Sequence, residues 1–383
     1  MNPILNIARI FEIFYRFLAL GCISFGGPAA HIGYFQTTFV QKLHWLDQDA
    51  YAKLVALSQF LPGPGSSQVG FAIGLRRAGL AGGLAAFLGF TLPSFILLYL
   101  LATLAFDANQ SNTLDGIVQG LKLLAVIVVA DASLSMFKSF CKDKISISLM
   151  VSSVACLLAL PSLWTQMAVL LLAAVIGASL RPVLIPKEYD KSGSYIKMVP
   201  LFIFFALFLG LPFVGADFFS SFYQAGSLVF GGGHVVLPLL QQTVGDAVTN
   251  DQFLTGYAAA QAIPGPMFTL ATFLGAEMSP EQPLIGALLA TVAIFLPGFL
   301  LIYSLQGTWE SFTQNPRIAG GAFAINAAVV GLLVSALYDP VFTSAVAQPR
   351  DMAIVILGFF ALRVLKLPIV ALVISLSVIG ILL

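Results

Sequence analysis

The chain has 383 residues, 59% of them hydrophobic and only 9% charged, where a soluble globular chain carries roughly 25% charged residues. Eighteen Lys and Arg stand against 17 Asp and Glu, a net charge of +1, which leaves no basic surface for nucleic acid and no acidic tail for a cationic partner. With a mean hydropathy of +0.96, these values exclude an ordinary soluble domain and point to a chain whose solvent is the lipid bilayer. Cys22, Cys141 and Cys156 have neither disulfide nor metal-ligand spacing and read as inert, so no metal or other cofactor is expected.

Taken in order, the N-terminus places Arg9, Glu12 and Arg16 among apolar residues and lacks the progression of a cleaved signal peptide, so it is expected to be retained. Apolar runs near the roughly 20 residues that span a bilayer core then follow at 10–36, 50–75, 80–106, 113–138, 145–160, 162–180, 197–214, 218–240, 250–276, 283–307, 318–338, 351–366 and 368–383. This reads as an all-α polytopic membrane protein with about 13 transmembrane segments, of which the second and ninth contain Pro-Gly-Pro and could be re-entrant. With the N-terminus in the cytoplasm, the loops holding Arg76 and Arg77, then Lys138, Lys142 and Lys144, then Arg181, Lys187, Lys191 and Lys197 all fall inside, as the positive-inside rule requires. Lys42 is an exception in the first outside loop, and Arg350 is one in the second half.

Four blocks recur in the same order. SFGGPAAHI (24–32) aligns with VFGGGHVVL (229–237) at an offset of 205, QFLPGP (59–64) with QAIPGP (261–266) at 202, and LPSF (92–95) with LPGF (296–299) at 204. GIVQGLK aligns with GGAFAIN at 204, which sets Lys122 opposite Asn326. The chain therefore reads as a duplication: an N-terminal repeat at 1–180, a basic linker at 181–197, and a C-terminal repeat at 198–383 with one extra leading helix. An odd number of crossings separates the two glycine motifs, so the repeats are expected to have inverted topology, with broken or re-entrant helices at the Gly-rich and Pro-Gly-Pro motifs.

These motifs, FGGPAAHI and LPGP with FGGGHVVLP and IPGP, resemble the signatures of the chromate ion transporter family in its long two-domain form. The resemblance extends from about Phe17 to the C-terminus. It implies export of chromate across the inner, cytoplasmic membrane, driven by the proton motive force or the membrane potential, and hence chromate resistance. Sulfate, of nearly the same shape and charge, is the competing substrate. The partners expected are this oxyanion, the bilayer and, as one open arrangement, a second copy in a homodimer.

The residue chemistry suits an anion. A tetrahedral dianion needs convergent donors, and a helix broken inside the membrane exposes backbone N–H groups where its second half starts. Gly26 and Gly27 allow close backbone approach and Pro28 can open a helical turn, while Gly231, Gly232 and Gly233 repeat the device. Pro62, Gly63 and Pro64, with Pro264, Gly265 and Pro266, break a second pair of helices. Ser66, Ser67, Gln68 and Thr269 add side-chain donors, His31 and His234 can donate to an oxyanion or bridge helices, and Lys122, with Asn326 as its duplicate, is a fixed positive charge for a dianion or else snorkels outward. Asp131 is the candidate proton carrier, or else an interfacial acid near Lys138. Arg76 and Arg77 are expected to set topology, with a cytoplasmic gate for anions as the second reading. The run GLAGGLAAFLG at 79–89 reads as helix packing. An anion channel is a second reading, and an intramembrane hydrolase using Ser66 or Ser67 with His31, His44 or His234 is a third.

Overall fold

The structure is a computed structural model that describes residues 3–25, 27–107, 112–180, 196–230, 236–307 and 316–382. Among the described residues there is helix and turn but no strand, as the bilayer demands of a backbone that must satisfy its own hydrogen bonds. The polytopic all-α reading holds: Gly65–Leu104, Gly116–Phe140, Pro283–Leu305 and Pro316–Ala345 are each long and apolar enough to cross a membrane, and shorter apolar helices accompany them.

The first apolar run is not one span. Helix α1 (Pro3–Ile23) stops before Ser24, and α2 (Gly27–Phe35) continues through the π-helical stretch Gln36–Lys42. In one continuous helix Phe17 and Phe35 would stand about 27 Å apart at 1.5 Å per residue. Their ring centroids are 5.4 Å apart, and Phe17 stacks on Phe39 at 4.7 Å. The chain therefore reverses between Ser24 and Gly27, and the expected span at 10–36 is corrected to a helical hairpin.

The second run is divided in the same way. Asp47 caps α3 (Gln48–Phe60) by accepting from the Ala50 N–H at 2.7 Å. At 13 residues, or about 20 Å, α3 is too short to cross a core of about 30 Å. The Pro-Gly-Pro turn follows, and α4 (Gly65–Asp107) carries the chain back to Arg77, whose guanidinium lies 4.7 Å over the Trp45 ring and 3.3 Å from Glu12. The loop around Leu43 thus lies on the same face as Arg76 and Arg77. Lys42, an exception in the sequence-based topology, joins the other basic residues there.

At Ala78 and Gly79 the backbone of α4 leaves helical geometry, with φ +66 at Gly79, and the second half folds back on the first. Gly74 and Gly82 meet so closely that a Cβ on either would strike the other's carbonyl, which explains the small residues of 79–89 as packing. In the second half of the chain, α12 (Leu270–Glu277) and α13 (Pro283–Leu305) cross in the same way through Gly275 and Gly286.

The chain forms two compact units, one of residues 1–107, 196–233 and 259–307, the other of 108–195, 234–258 and 308–383. They cut across the sequence boundaries at 180 and 198, because each half contributes to both. The first unit holds α1 to α4, α8 (Met198–Gly210), α9 (Asp217–Leu228), α12 and α13, with Phe71 stacked on Phe299 at 4.6 Å in its core. The second holds α5 (Asn112–Phe140), α6 (Lys144–Ala159), α7 (Leu163–Leu180), α10 (Val236–Val244), α14 (Pro316–Ala336), α15 (Pro349–Arg363) and α16 (Ile369–Leu382). Helix α11 (Asn250–Ala262) runs across the division.

Within the second unit the two halves exchange partners. Gly116 of α5 packs on Gly380 of α16, and their counterparts Gly320 of α14 and Gly177 of α7 pack on each other. Gly358 of α15 lies against Ile127 of α5, while Gly331 of α14 lies against Ser153 of α6. The duplication offsets of 203 to 205 convert each contact into the other, so the long helix of each half seats on the helix pair of the opposite half.

Candidate functional site

The same exchange builds the centre of the first unit. The Gly63 N–H donates to the Val229 carbonyl at 2.7 Å, and the Gly265 N–H donates to the Ser24 carbonyl at 3.0 Å. Ser24 and Val229 immediately precede the two glycine motifs, so each Pro-Gly-Pro turn is tied to the helix break of the other half. Both central glycines hold φ values that favour glycine alone, +120 and +111. A Cβ at Gly63 would lie 2.9 Å from the Gly298 Cα and from the Gln68 side chain, and one at Gly265 would lie 2.8 Å from the Ser94 Oγ. Gly298 and Ser94 are again duplicates, at offset 204. At these two amides the groups freed by the helix breaks are satisfied by neighbours across the crossing.

His31 joins this crossing at Ser24. Its Nε2 is 3.2 Å from the Ser24 carbonyl, which can only accept, so this nitrogen carries the proton and Nδ1, 3.2 Å from the Ser66 Oγ, accepts. His31 is fully buried and bridges helices, the second of its two sequence readings, while Phe90 stands edge-on at 5.1 Å. A serine and a histidine are brought together as the hydrolase reading needs. The position that a triad gives to a carboxylate is, however, a backbone carbonyl, and Ser66 is only 3% exposed.

Three buried hydroxyls in this unit, on Ser24, Ser67 and Thr91, have no hydrogen-bond partner, and neither does the Gln68 Oε1. Each hydroxyl belongs to, or adjoins, a residue that touches His31: Ser24 itself, Ser66 beside Ser67, and Phe90 beside Thr91. Ser67 also sits in the first turn of α4, where backbone N–H groups lack helical partners. Buried polar groups left unpaired cost about 1–3 kcal/mol each unless a ligand or water satisfies them. By contrast, Gln68 Nε2 bonds the Pro62 and Gly298 carbonyls, and the Thr269 hydroxyl donates to Pro266, so neither donor named from sequence is free. Gly27, at φ +74, opens α2 ahead of Pro28, with the Met267 Sδ 3.6 Å from where its Cβ would be.

Gly27, Pro28, His31, Ser66 and both Pro-Gly-Pro turns therefore come together in one unit. Lys122, Asp131 and Asn326 belong to the other. Gly26, Gly231, Gly232, Gly233 and His234 lie outside the described residues. Lys122 is not a lone positive charge: its Nζ is 2.8 Å from the Asp251 carboxylate. Asp131 pairs with Arg363 at 2.7 Å, not with Lys138, and a carboxylate committed to a guanidinium is a poor proton shuttle. Asn326 is buried with its Oδ1 unpaired. Sequence reading missed Asp251, although its duplicate Asp49 at offset 202 was a usable signal; it missed Arg363 because that pairing spans 232 residues.

The model of the family described as chromate transporter matches residues 11–178 and again 216–381. The chain is 29% identical over 348 residues to a chromate transport protein of Pseudomonas aeruginosa, covering 86% of this chain and 80% of the relative. It is 27% identical over 340 residues to an uncharacterized transporter of Methanocaldococcus jannaschii, covering 85% and 82%. A shorter uncharacterized transporter of Bacillus subtilis is 29% identical over 120 residues, 30% of this chain but 66% of its own length. No solved structure matches the chain significantly.

Proposed function

The chain belongs to the chromate transporter family, and on that premise we propose that it exports chromate, a tetrahedral dianion, across the cytoplasmic membrane as a secondary transporter and so confers chromate resistance. The observation that carries this reading is the reciprocal crossing of Gly63 with Val229 and Gly265 with Ser24, in a unit where the Ser24, Ser67 and Thr91 hydroxyls are buried without partners. Hydroxyls and helix N-terminal amides are neutral donors, which bind an oxyanion without trapping it as strongly as a fixed cation would.

Inverted repeats are part of this reading: the second set of motifs would enter from the face opposite the first, as alternating access requires. A fixed ring of charge or a filter would favour a channel, and among the described residues neither lines this crossing.

Export is electrically downhill, since two negative charges leaving a negative interior gain about 4.6 kcal/mol per 100 mV. Proton antiport would add to this, although the pairing of Asp131 with Arg363 weighs against that acid as the carrier. The test is chromate uptake into inside-out vesicles, with sulfate and molybdate as competitors. We expect saturable uptake, driven by a lumen-positive potential and further raised by an acidic lumen. Flux indifferent to the pH gradient at fixed potential would replace antiport with uniport; no flux of any tetrahedral oxyanion would sink the proposal.

A further inference from the structure

In the second unit a cavity of about 60 Å³ lies at the end of α6 remote from Lys144, bounded by α10, the start of α7 and the end of α14. At roughly 10–15 Å³ per water it holds about four waters, or a small ion with part of its shell. Its lining is rich in acceptors. The Oε1 atoms of Gln166 and Gln242 are buried without partners. Gln166 is 2% exposed, and its Nε2 faces the Pro238 carbonyl at 3.5 Å, which directs its oxygen elsewhere.

Two helix C-termini reach the same cavity. Leu157 and Leu158 belong to the last turn of α6, where carbonyls lack helical donors and carry negative partial charge. Ser335 and Ala336 close α14, and the π-helical stretch that follows contains Pro340. Proline has no N–H, so the carbonyl four or five residues back, on Ala336 or Ser335, loses its helical donor. Asp339 adds a carboxylate at the rim, one oxygen of which accepts from the Thr343 hydroxyl at 3.0 Å.

We propose that this cavity binds a sodium-sized monovalent cation, held by Asp339, the carboxamide oxygens of Gln166 and Gln242, and the carbonyls ending α14. The balance of charge sets the class: a calcium site gathers several carboxylates among six to eight oxygens, whereas the described lining of this one has a single carboxylate among neutral oxygens. Carbonyls at a helix end coordinating a monovalent ion are a device of secondary transporters. The consequence for transport rests on the export reading, since a cation bound here would give that cycle a second ion to couple; the binding itself does not.

The test uses the purified full-length protein without any oxyanion, so its outcome is independent of whether chromate is the substrate. Thermal stability is measured against NaCl, with choline chloride balancing ionic strength. The midpoint is expected to rise with sodium and saturate, and the rise should be absent in Asp339→Asn and in Gln166→Leu. Gln242→Glu, which adds a second carboxylate, should reach saturation at a lower sodium concentration, on the order of tenfold. This gain of affinity keeps the proposal testable if the other variants fold poorly. A midpoint that responds equally to choline, follows only pH, or keeps its sodium response in Asp339→Asn overturns the assignment.

Discussion

At the residue scale, the ion pairs separate structural charges from functional ones. Asp131 and Arg363 are about one quarter to one third exposed and bond directly at 2.7 Å, with Ser135 as a second acceptor for the guanidinium. Removing one partner strands a half-buried charge, while removing both strands none. Asp131→Asn or Arg363→Gln alone should therefore lower the yield of folded protein, and the double variant should recover it with chromate flux within about twofold of wild type, a test of coupling by double-mutant cycle. Loss of the pH-gradient response in the folded double variant would instead restore Asp131 as a proton carrier. Sequence identified Asp131 as an ionisable group inside a span but not what neutralised it. Helical spacing reports neighbours three and four residues away, and nothing local marks an arginine at the end of a helix 232 residues later.

At the scale of elements, the glycine and proline motifs were legible as breaks, but their sense was not. A hairpin of two helices with an apolar turn has the same hydropathy as one long span, so the run 10–36 read as a single crossing. Only tertiary contact, Phe17 on Phe39 and Trp45 on Arg77, distinguishes the two. The hairpins predict that Lys42→Cys and Arg76→Cys, both exposed positions, react with a membrane-impermeant thiol reagent from the same face. The experiment needs Cys22 and Cys156 replaced. Cys141 contributes little background at neutral pH, because burial and then the nearby Asp143 charge push its thiol up from its ordinary range. Labelling of the two positions from opposite faces would return the first run to a single crossing.

For the whole molecule, duplication does more than supply two similar halves. In the first unit the turns of each half bond the breaks of the other, and in the second unit the long helix of each half packs on the helix pair of the other. Neither half can complete either unit alone, which gives a physical reason for a boundary that looks clean in sequence, at 180–198, to vanish in the fold. The repeat itself was plain from four aligned blocks; the exchange was not, because alignment pairs residues with their equivalents and does not reveal what each equivalent touches. The most direct measurement is chromate flux through Gly63→Ala and Gly265→Ala, alongside Gly33→Ala, a position with open space at its Cβ. An L residue forced into the backbone of Gly63 or Gly265 is strained by about 1–3 kcal/mol and collides with Gly298 or Ser94. We predict that both variants, shown to be inserted and folded, lose flux to a similar degree because the crossing makes them equivalents, while Gly33→Ala transports normally; wild-type flux in either crossing variant would contradict a transport site organised by this exchange.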